Sequence, residues 1–446
     1  MESKLKREAI DIFMAGVQAV DPGRAVHSHL RLDGETLMAG ENRIPMPRGG
    51  RIFIVGAGKA GAPMAAAVEE VVGDRIYRGI VVVKYGHLAP VHGITLLEAG
   101  HPVPDEAGVR AGEMICGLLD EAASNDLVIC LLSGGGSALL PCPVPKVTLS
   151  DKQAVTNLLL ESGADIGEIN CIRKHLSLLK GGGLAKRAHP SRLLTLILSD
   201  VVDDPLDVIA SGPSVGDPTT FADAMEIVSR YGLVDKTPHT VLDHLRDGAL
   251  GKHPETPKPG DQVFKGVINL LVGTNDMALQ ASQNKARDLG YNSTVLSSTI
   301  TGETRDAAAD HAALARAIAE TGQPLPPPAC VLSGGETTVT IKGAGKGGRN
   351  QEFALAAALG IQDLEDTVIL SGGTDGTDGP TDAAGAVADG TTVQRAREAG
   401  MDATEHLENN DAYPFFQKLG DLLMTGPTLT NVMDLRVTLV GRKEKS

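Results

Sequence analysis

The segment RIFIVGAGKAG (51–61) joins an apolar run to the turn Gly56-x-Gly58-x-x-Gly61 and then to a helical apolar pattern. Glycines at that spacing let bare backbone meet a ligand at a helix start, where anions bind. Lys59 puts a cation inside the same turn, which suits a phosphate or a carboxylate. A nicotinamide site needs an acidic residue at the end of the next strand, ~20 positions on. That strand instead ends in Val83-Lys84-Tyr85, and Asp74 stands before it, at the wrong end. Lys84 could meet the extra phosphate of a phosphorylated nicotinamide nucleotide, so the turn alone leaves a reductase open. The plain alternative is a tight turn with a solvated lysine.

Four further apolar runs end in glycine, serine or aspartate: LLSGGGS (131–137), LILSD (196–200), VLSGGET (331–337) and ILSGGTDG (369–376). Successive N–H groups in such loops can form an anion nest. Ser133, Gly134, Gly135, Gly136 and Ser137 are one candidate cradle; Gly334, Gly335 and Glu336 are another. Any one loop reads equally well as a turn, but four in one chain favour a shared ligand cleft. The chain contains no GxxxxGK[ST], so it is not a P-loop protein, and HExxH and GxSxG are absent too.

Two loops are rich in aspartate. SDVVDDPLDVIASGP (199–213) carries Asp200, Asp203, Asp204 and Asp207; SGGTDGTDGPTD (371–382) carries Asp375, Asp378 and Asp382. Mg²⁺ takes one or two carboxylates and keeps most of its waters. Aspartate also caps helices and turns, yet the two clusters together predict at least one metal-binding or proton-accepting carboxylate. Arg349 opens an amphipathic helical pattern (349–360), an unfavourable place for a cation. An external anion would offset that cost, and Lys59 and Arg349 would then face each other across a cleft between the two halves. In EINCIRKHLSLLKGGG (168–183), Arg173, Lys174, His175 and Lys180 lie largely off the face made by Ile169, Ile172, Leu176 and Leu179. They read as a solvated face, or as cations that close an anion pocket.

These groups need a scaffold. From 51 to 135, strand and helix patterns alternate, which predicts a parallel sheet covered on both faces. Asp105 is placed to cap a helix beginning at 106. Residues 148–190 read as helical, with Gly181–Gly183 as the stop. The polar, proline-bearing stretch 251–262 reads as a domain boundary. Strands are expected in 263–273, 293–298, twice within 329–343, in 367–373 and in 435–441, with helices at 276–289 and 303–321. Two domains follow, 1–250 and 260–446, both α/β.

Bulk properties set limits. The chain has 446 residues, 42% hydrophobic and 22% charged, as in an ordinary globular protein. A net charge of −15 argues against nucleic acid as a partner. The five cysteines are odd in number and scattered, which reads as reduced core residues. MESKLKREAIDIFMAGVQAV is charged and amphipathic rather than signal-like. No stretch is apolar enough to span a bilayer. A cytoplasmic protein acting on a small molecule, with no membrane partner, is expected; a homodimer is compatible with this.

Longer motifs carry a resemblance. KYGH (84–87), EAGHPVPDEAG (98–108), RKHLSLLKGG (173–182), SDVVDDPLDVIASGP (199–213), LSGGETTVT (332–340), GGRNQEFALA (347–356), GTDGTDGPTDAAGA (373–386), DAYPFF (411–416) and TGPTLTNVMDL (425–435) resemble the glycerate 2-kinases of the MOFRL type. Some members of that family are labelled hydroxypyruvate reductase. The resemblance spans nearly the whole chain. It implies a Rossmann-like three-layer N-terminal domain, a smaller α/β C-terminal domain and an active site between them. It also implies ATP-dependent phosphorylation of D-glycerate at the 2-hydroxyl, with a divalent cation such as Mg²⁺. The family's active-site lysine and arginine fall on Lys59 and Arg349. On that reading, loop amides from Gly56 and Gly58, from 133–137 and from Gly334 and Gly335, with Lys84 and Glu336, hold the cofactor. Asp375 or Asp378 holds the metal, and Asp200 orients or deprotonates the acceptor hydroxyl. NADPH-dependent reduction of hydroxypyruvate is the alternative. The chain departs from the family patterns SDVVGDPLD and TGPTGTNVND at Asp203, Leu429 and Met433.

Overall fold

The computed structural model of the chain describes residues 3–46 and 49–442. It divides into two compact units, Pro22–Val272 and Met1–Asp21 with Gly273–Ser446.

In the first unit the apolar runs form a six-stranded sheet, in the order Ile94–Ala99, Ile76–Lys84, Ile52–Ala57, Leu127–Leu132, Arg192–Leu198, Val267–Gly273. The first five strands are parallel. Ile52–Ala57 and Leu127–Leu132 are buried along their whole length, as continuous apolar runs in a doubly covered sheet should be. From Ile52–Ala57 the chain first builds toward one edge. It then crosses back and adds Leu127–Leu132 on the other side. That reversal is a topological switch point, where α/β sheets bind ligands beyond the carboxyl ends of their strands. The loops leaving those two ends are 58–61 and 133–137.

Helices Gly61–Val72 and Glu106–Leu119 fall where expected, and Asp105 accepts from the Gly108 amide at 3.0 Å. A second layer of helices, Leu149–Glu161, Ile166–His175, Phe221–Arg230 and His239–Ala249, closes its own core around Val155, Leu159, Ile172, Phe221 and Leu245. The helical region 148–190 therefore breaks earlier than predicted, at His175. Gly181 and Gly182, both with left-handed φ, instead lead into helix Gly183–Ala188. A three-stranded antiparallel meander, Leu30–Asp33, Thr36–Ala39 and Asn42–Pro45, was not foreseen.

The second unit holds a mixed six-stranded sheet: Asn292–Val295, Ala329–Gly335, Asp434–Val440, Thr367–Gly373, Gly385–Asp389, Leu422–Leu423. Asp434–Val440 lies antiparallel to both neighbours. Residues 336–343 make one isolated bridge, Thr338 to Glu303, rather than the second strand expected there. Helix Lys4–Ala19 belongs to this unit. Ser282 Oγ donates to the Ile12 carbonyl at 2.9 Å, and the Lys6 ammonium meets Asp389 and Asp421 at 2.8 and 2.7 Å.

The division thus falls at Gly273, not in 251–262. The proline-bearing stretch is a loop inside the first unit, because Val267–Gly273 adds to the first sheet. Among the described residues no helix is long and apolar enough to cross a membrane.

Candidate active site

At the switch point the glycines serve close approach. A Cβ on Gly58 would sit 2.0 Å from Ser133 Oγ and 2.7 Å from the Ser133 nitrogen. The turn is then consumed by its own neighbours. The amides of Gly58, Lys59 and Gly61 donate to the carbonyls of Val82, Gly134 and Gly58, at 3.0, 2.9 and 3.0 Å. The Ala60 amide donates to Ser133 Oγ at 3.0 Å. The amide cradle expected of Gly56 and Gly58 is therefore spent within the fold; what the turn still offers a ligand is the half-buried Lys59 side chain.

In the neighbouring loop the amides of Ser133 and Gly136 donate to the Ala57 and Ser133 carbonyls at 3.3 and 3.1 Å. The glycines between them lie beside Lys59, since a Cβ on Gly135 would stand 3.5 Å from its Cγ. Asp200 borders the loop, since a Cβ on Gly134 would meet Asp200 Oδ2 at 2.1 Å. His101 borders the other side, with its ring 2.8 Å from where a Gly135 Cβ would stand. Burial first, then Lys59, Lys84 and His87, push the His101 imidazole down to about 4, so it is neutral around pH 7. His87 Nδ1 approaches the Lys59 carbonyl at 3.2 Å. Lys84, one strand over, joins this cationic group.

Ser137 closes the loop. Lys180 Nζ donates to its carbonyl at 2.7 Å and to its hydroxyl at 3.1 Å. Ser211 Oγ donates to Asn170 Oδ1 at 3.0 Å, so the 2.8 Å contact between Ser137 and Ser211 has Ser137 as donor.

In the second unit, Arg349 opens helix Arg349–Gly360. Its Nε and Nη2 donate to the two oxygens of buried Asp434 at 2.7 and 3.0 Å, and Nη1 meets Glu336 at 2.9 Å. Burial works against the guanidinium charge, but Asp434 and then Glu336 raise its pKa further above the ordinary value. The external anion inferred from the cost of a cation at a helix start is not required: Asp434 supplies the compensation from inside. Asn350 Nδ2 also donates to Asp434 at 2.9 Å, and fully buried Arg436 lies 3.5 Å from it.

Asp378 takes the missing helix cap, accepting from the amides of Asn350 and Gln351 at 3.1 and 2.8 Å. Burial pushes its carboxyl up to about 7, opposed by those two amides. Asp375 accepts from the Thr377 amide and hydroxyl at 3.1 and 3.2 Å. Among the described residues no three His, Cys, Asp or Glu side chains converge on a metal position. The shared Asp375–Asp378 cation site therefore meets a competing use at Asp378. Gly334 and Gly335 are likewise structural. The Gly334 amide donates to the Ser297 carbonyl at 2.8 Å, and a Cβ on Gly335 would strike the Ile300 carbonyl at 2.3 Å.

The three departures from the family pattern share a backbone feature. Asp203, Leu429 and Met433 have φ of 65°, 63° and 70°. The family patterns carry Gly, Gly and Asn there, the residues that tolerate this region; a branched or long side chain costs about 1–2 kcal/mol. Leu429→Gly, at a half-exposed position, is expected to raise the urea midpoint by an amount equivalent to roughly 1 kcal/mol. A lowered midpoint would contradict this.

Comparison with known proteins agrees with this architecture. A family described as a domain of unknown function (DUF4147) matches residues 8–246, and the MOFRL family matches residues 329–434. The chain is 41% identical to the glycerate 2-kinase of Pyrococcus horikoshii over 96% of its length and 95% of that protein's. It is 44% identical, over 96% of its length and 93% of the other's, to an Agrobacterium vitis protein named, as a supposition, hydroxypyruvate reductase. The crystal structure of Thermotoga maritima glycerate kinase superposes with a TM-score of 0.88 at 40% identity, covering 98% of this chain and 99% of that one. The chain therefore belongs to the glycerate 2-kinase family, whose members join a DUF4147 domain to a MOFRL domain.

Proposed function

We propose that the chain transfers the γ-phosphoryl group of ATP to the 2-hydroxyl of D-glycerate, giving 2-phospho-D-glycerate and ADP. The observation that carries this reading is the cationic station at the carboxyl end of the first unit's sheet, where Lys59 stands beside the 133–137 loop and Asp200 borders it. Phosphoryl transfer asks for alignment and charge neutralisation rather than covalent chemistry. The acceptor's C2 oxygen attacks the γ-phosphorus and its proton passes to Asp200. The bond from phosphorus to the bridging oxygen breaks, and ADP leaves. Lys59 and Arg349 offset the charge that builds on the transferring group. The family resemblance supports both assignments.

Mg²⁺ enters this reading with the nucleotide. Among the described residues no group of donors forms a closed cage for a resident ion, and an ion held mainly by phosphate oxygens and water needs only one carboxylate. Asp375 is our candidate for it, since both Asp378 oxygens serve the helix start.

The turn argues against the reductase reading. A dinucleotide's pyrophosphate needs the amides of the glycine turn, and Gly58, Lys59, Ala60 and Gly61 have all donated theirs internally. The decisive measurement is a pair of assays on the purified protein: ADP release with D-glycerate, and NADPH consumption with hydroxypyruvate. ADP release that depends on D-glycerate is expected, with no NADPH consumption; the opposite pattern would reverse the assignment.

A further inference from the structure

Three cations gather beneath the 133–137 loop without an acidic partner. Arg173 sits in the last turn of helix Ile166–His175, Lys152 in helix Leu149–Glu161, and Lys180 just before helix Gly183–Ala188. Lys152 and Lys180 are buried, with 7% and 3% exposure, and Arg173 is partly buried. Lys152 donates only to the Pro141 and Leu176 carbonyls, at 2.7 and 3.0 Å. Lys180 donates only to Ser137. Each ammonium thus keeps one donor in hand. Arg173 has five, and no acceptor or carboxylate among the described residues takes any of them.

Such a grouping is costly. Burial disfavours each charge, and the three also repel one another. Burial and then Arg173 push Lys152 down to about 7. Burial, then Arg173 and Lys152, hold Lys180 well below the ordinary lysine range. The carboxyl end of the helix carrying Arg173 offsets only a small part of this. Elsewhere the chain pairs its buried cations, as Lys6 with Asp389 and Asp421 or Arg349 with Asp434. A cluster left unpaired, with solvent reaching its arginine, is set up for an anion from outside.

We propose that Arg173, with Lys180, forms a subsite for the carboxylate of the acceptor. The planar fork of arginine offers two parallel donors that match a carboxylate, and a partly buried pocket suits a small monoanion better than a solvated triphosphate. Lys180 ties the subsite to the 133–137 loop, so it would anchor one end of a three-carbon acid while its hydroxyl meets Lys59 and Asp200. This rests on the kinase reading for the identity of the acid, but not for the existence of the anion site.

The test is steady-state kinetics and calorimetry on Arg173→Met and Arg173→Lys. The Met variant should raise KM for D-glycerate at least 100-fold, leave KM for ATP within twofold and keep or raise Tm, because an unpaired charge has been removed. The Lys variant should fall between. Binding of D-glycerate alone, by calorimetry, should weaken by a similar factor. An unchanged KM and Kd for D-glycerate would overturn the proposal. So would a rise in KM for ATP instead, which would assign the cations to a nucleotide phosphate, or a fall in Tm with kcat, which would mark a structural role. If the wild-type chain shows no kinase activity, the calorimetric arm still decides: wild type binding D-glycerate and Arg173→Met not binding it supports the subsite while the reaction assignment fails.

Discussion

Lys59→Ala is expected to lower kcat by about 10³-fold while the protein stays folded, because the side chain acts on charge that appears only in the transition state. Its backbone amide and carbonyl hold the turn, through Gly134 and His87. The fold therefore has little to lose. A second readout separates a local electrostatic role from general damage. Lys59 is the largest charge acting on His101, after burial, in holding that imidazole down to about 4. In the Ala variant the His101 resonance should titrate at a higher pH, and the Tm should move by less than about 2 °C, as a surface-type change implies. Lys59→Arg should recover only part of the rate, since a planar fork cannot replace a compact ammonium at the same point. A kcat within threefold of wild type in the Ala variant would remove Lys59 from the mechanism.

Much of this was legible in local sequence, and the reasons are local. The runs 52–57 and 127–132 are apolar throughout because both faces are covered, and their burial is complete. Helix 349–360 begins and ends where its periodicity says. What escaped notice depends on long-range topology. Asp434 opens the strand DLRVTLV and is 85 residues from Arg349. Only the insertion of Asp434–Val440 between Ala329–Gly335 and Thr367–Gly373 brings them together. No pattern near Arg349 announces that partner, so its cost at the helix start was assigned to an outside ligand.

Two further differences have the same origin. The periodicity placed Arg173, Lys174 and Lys180 off the apolar face correctly, but a second layer of helices covers the face they do occupy. Lys174 answers with Asp207 and Asp217, both at 3.4 Å, whereas Arg173 answers with nothing. In 251–262 the prolines correctly mark a loop. Whether a loop separates domains is decided by where the next strand pairs, and Val267–Gly273 returns to the first sheet. The glycine turn is the subtlest case. Its spelling is that of an anion site, yet Ser133 and three carbonyls have taken its donors.

Asp434→Asn should cause the largest loss of stability of any single change at the site, and it should abolish most activity by a route distinct from that of Lys59. The carboxylate is fully buried and serves two arginines and Asn350 together. Neutralising it leaves Arg436, which is 1% exposed, with no counter-charge beside it. Arg436 Nε and Nη1 already lack partners; Nη2 reaches Thr337 at 3.2 Å, and the guanidinium lies 5.0 Å from the Phe353 ring centroid. Removing one member of a buried ion pair costs about 3–5 kcal/mol. Arg349 adds less to that figure because a third of its side chain is exposed and solvent can screen it. The urea midpoint of the second unit should therefore fall steeply. The kcat should drop by at least 10²-fold at temperatures where the variant is still folded, because Arg349 loses the two-pronged hold that fixes its direction. Adding Arg436→Met to Asp434→Asn should restore part of the stability, since the orphaned charge is then gone, but none of the rate. Full recovery of rate by that second change would show that the carboxylate serves only the core; no recovery of stability would show that Arg436 is not what the carboxylate balances.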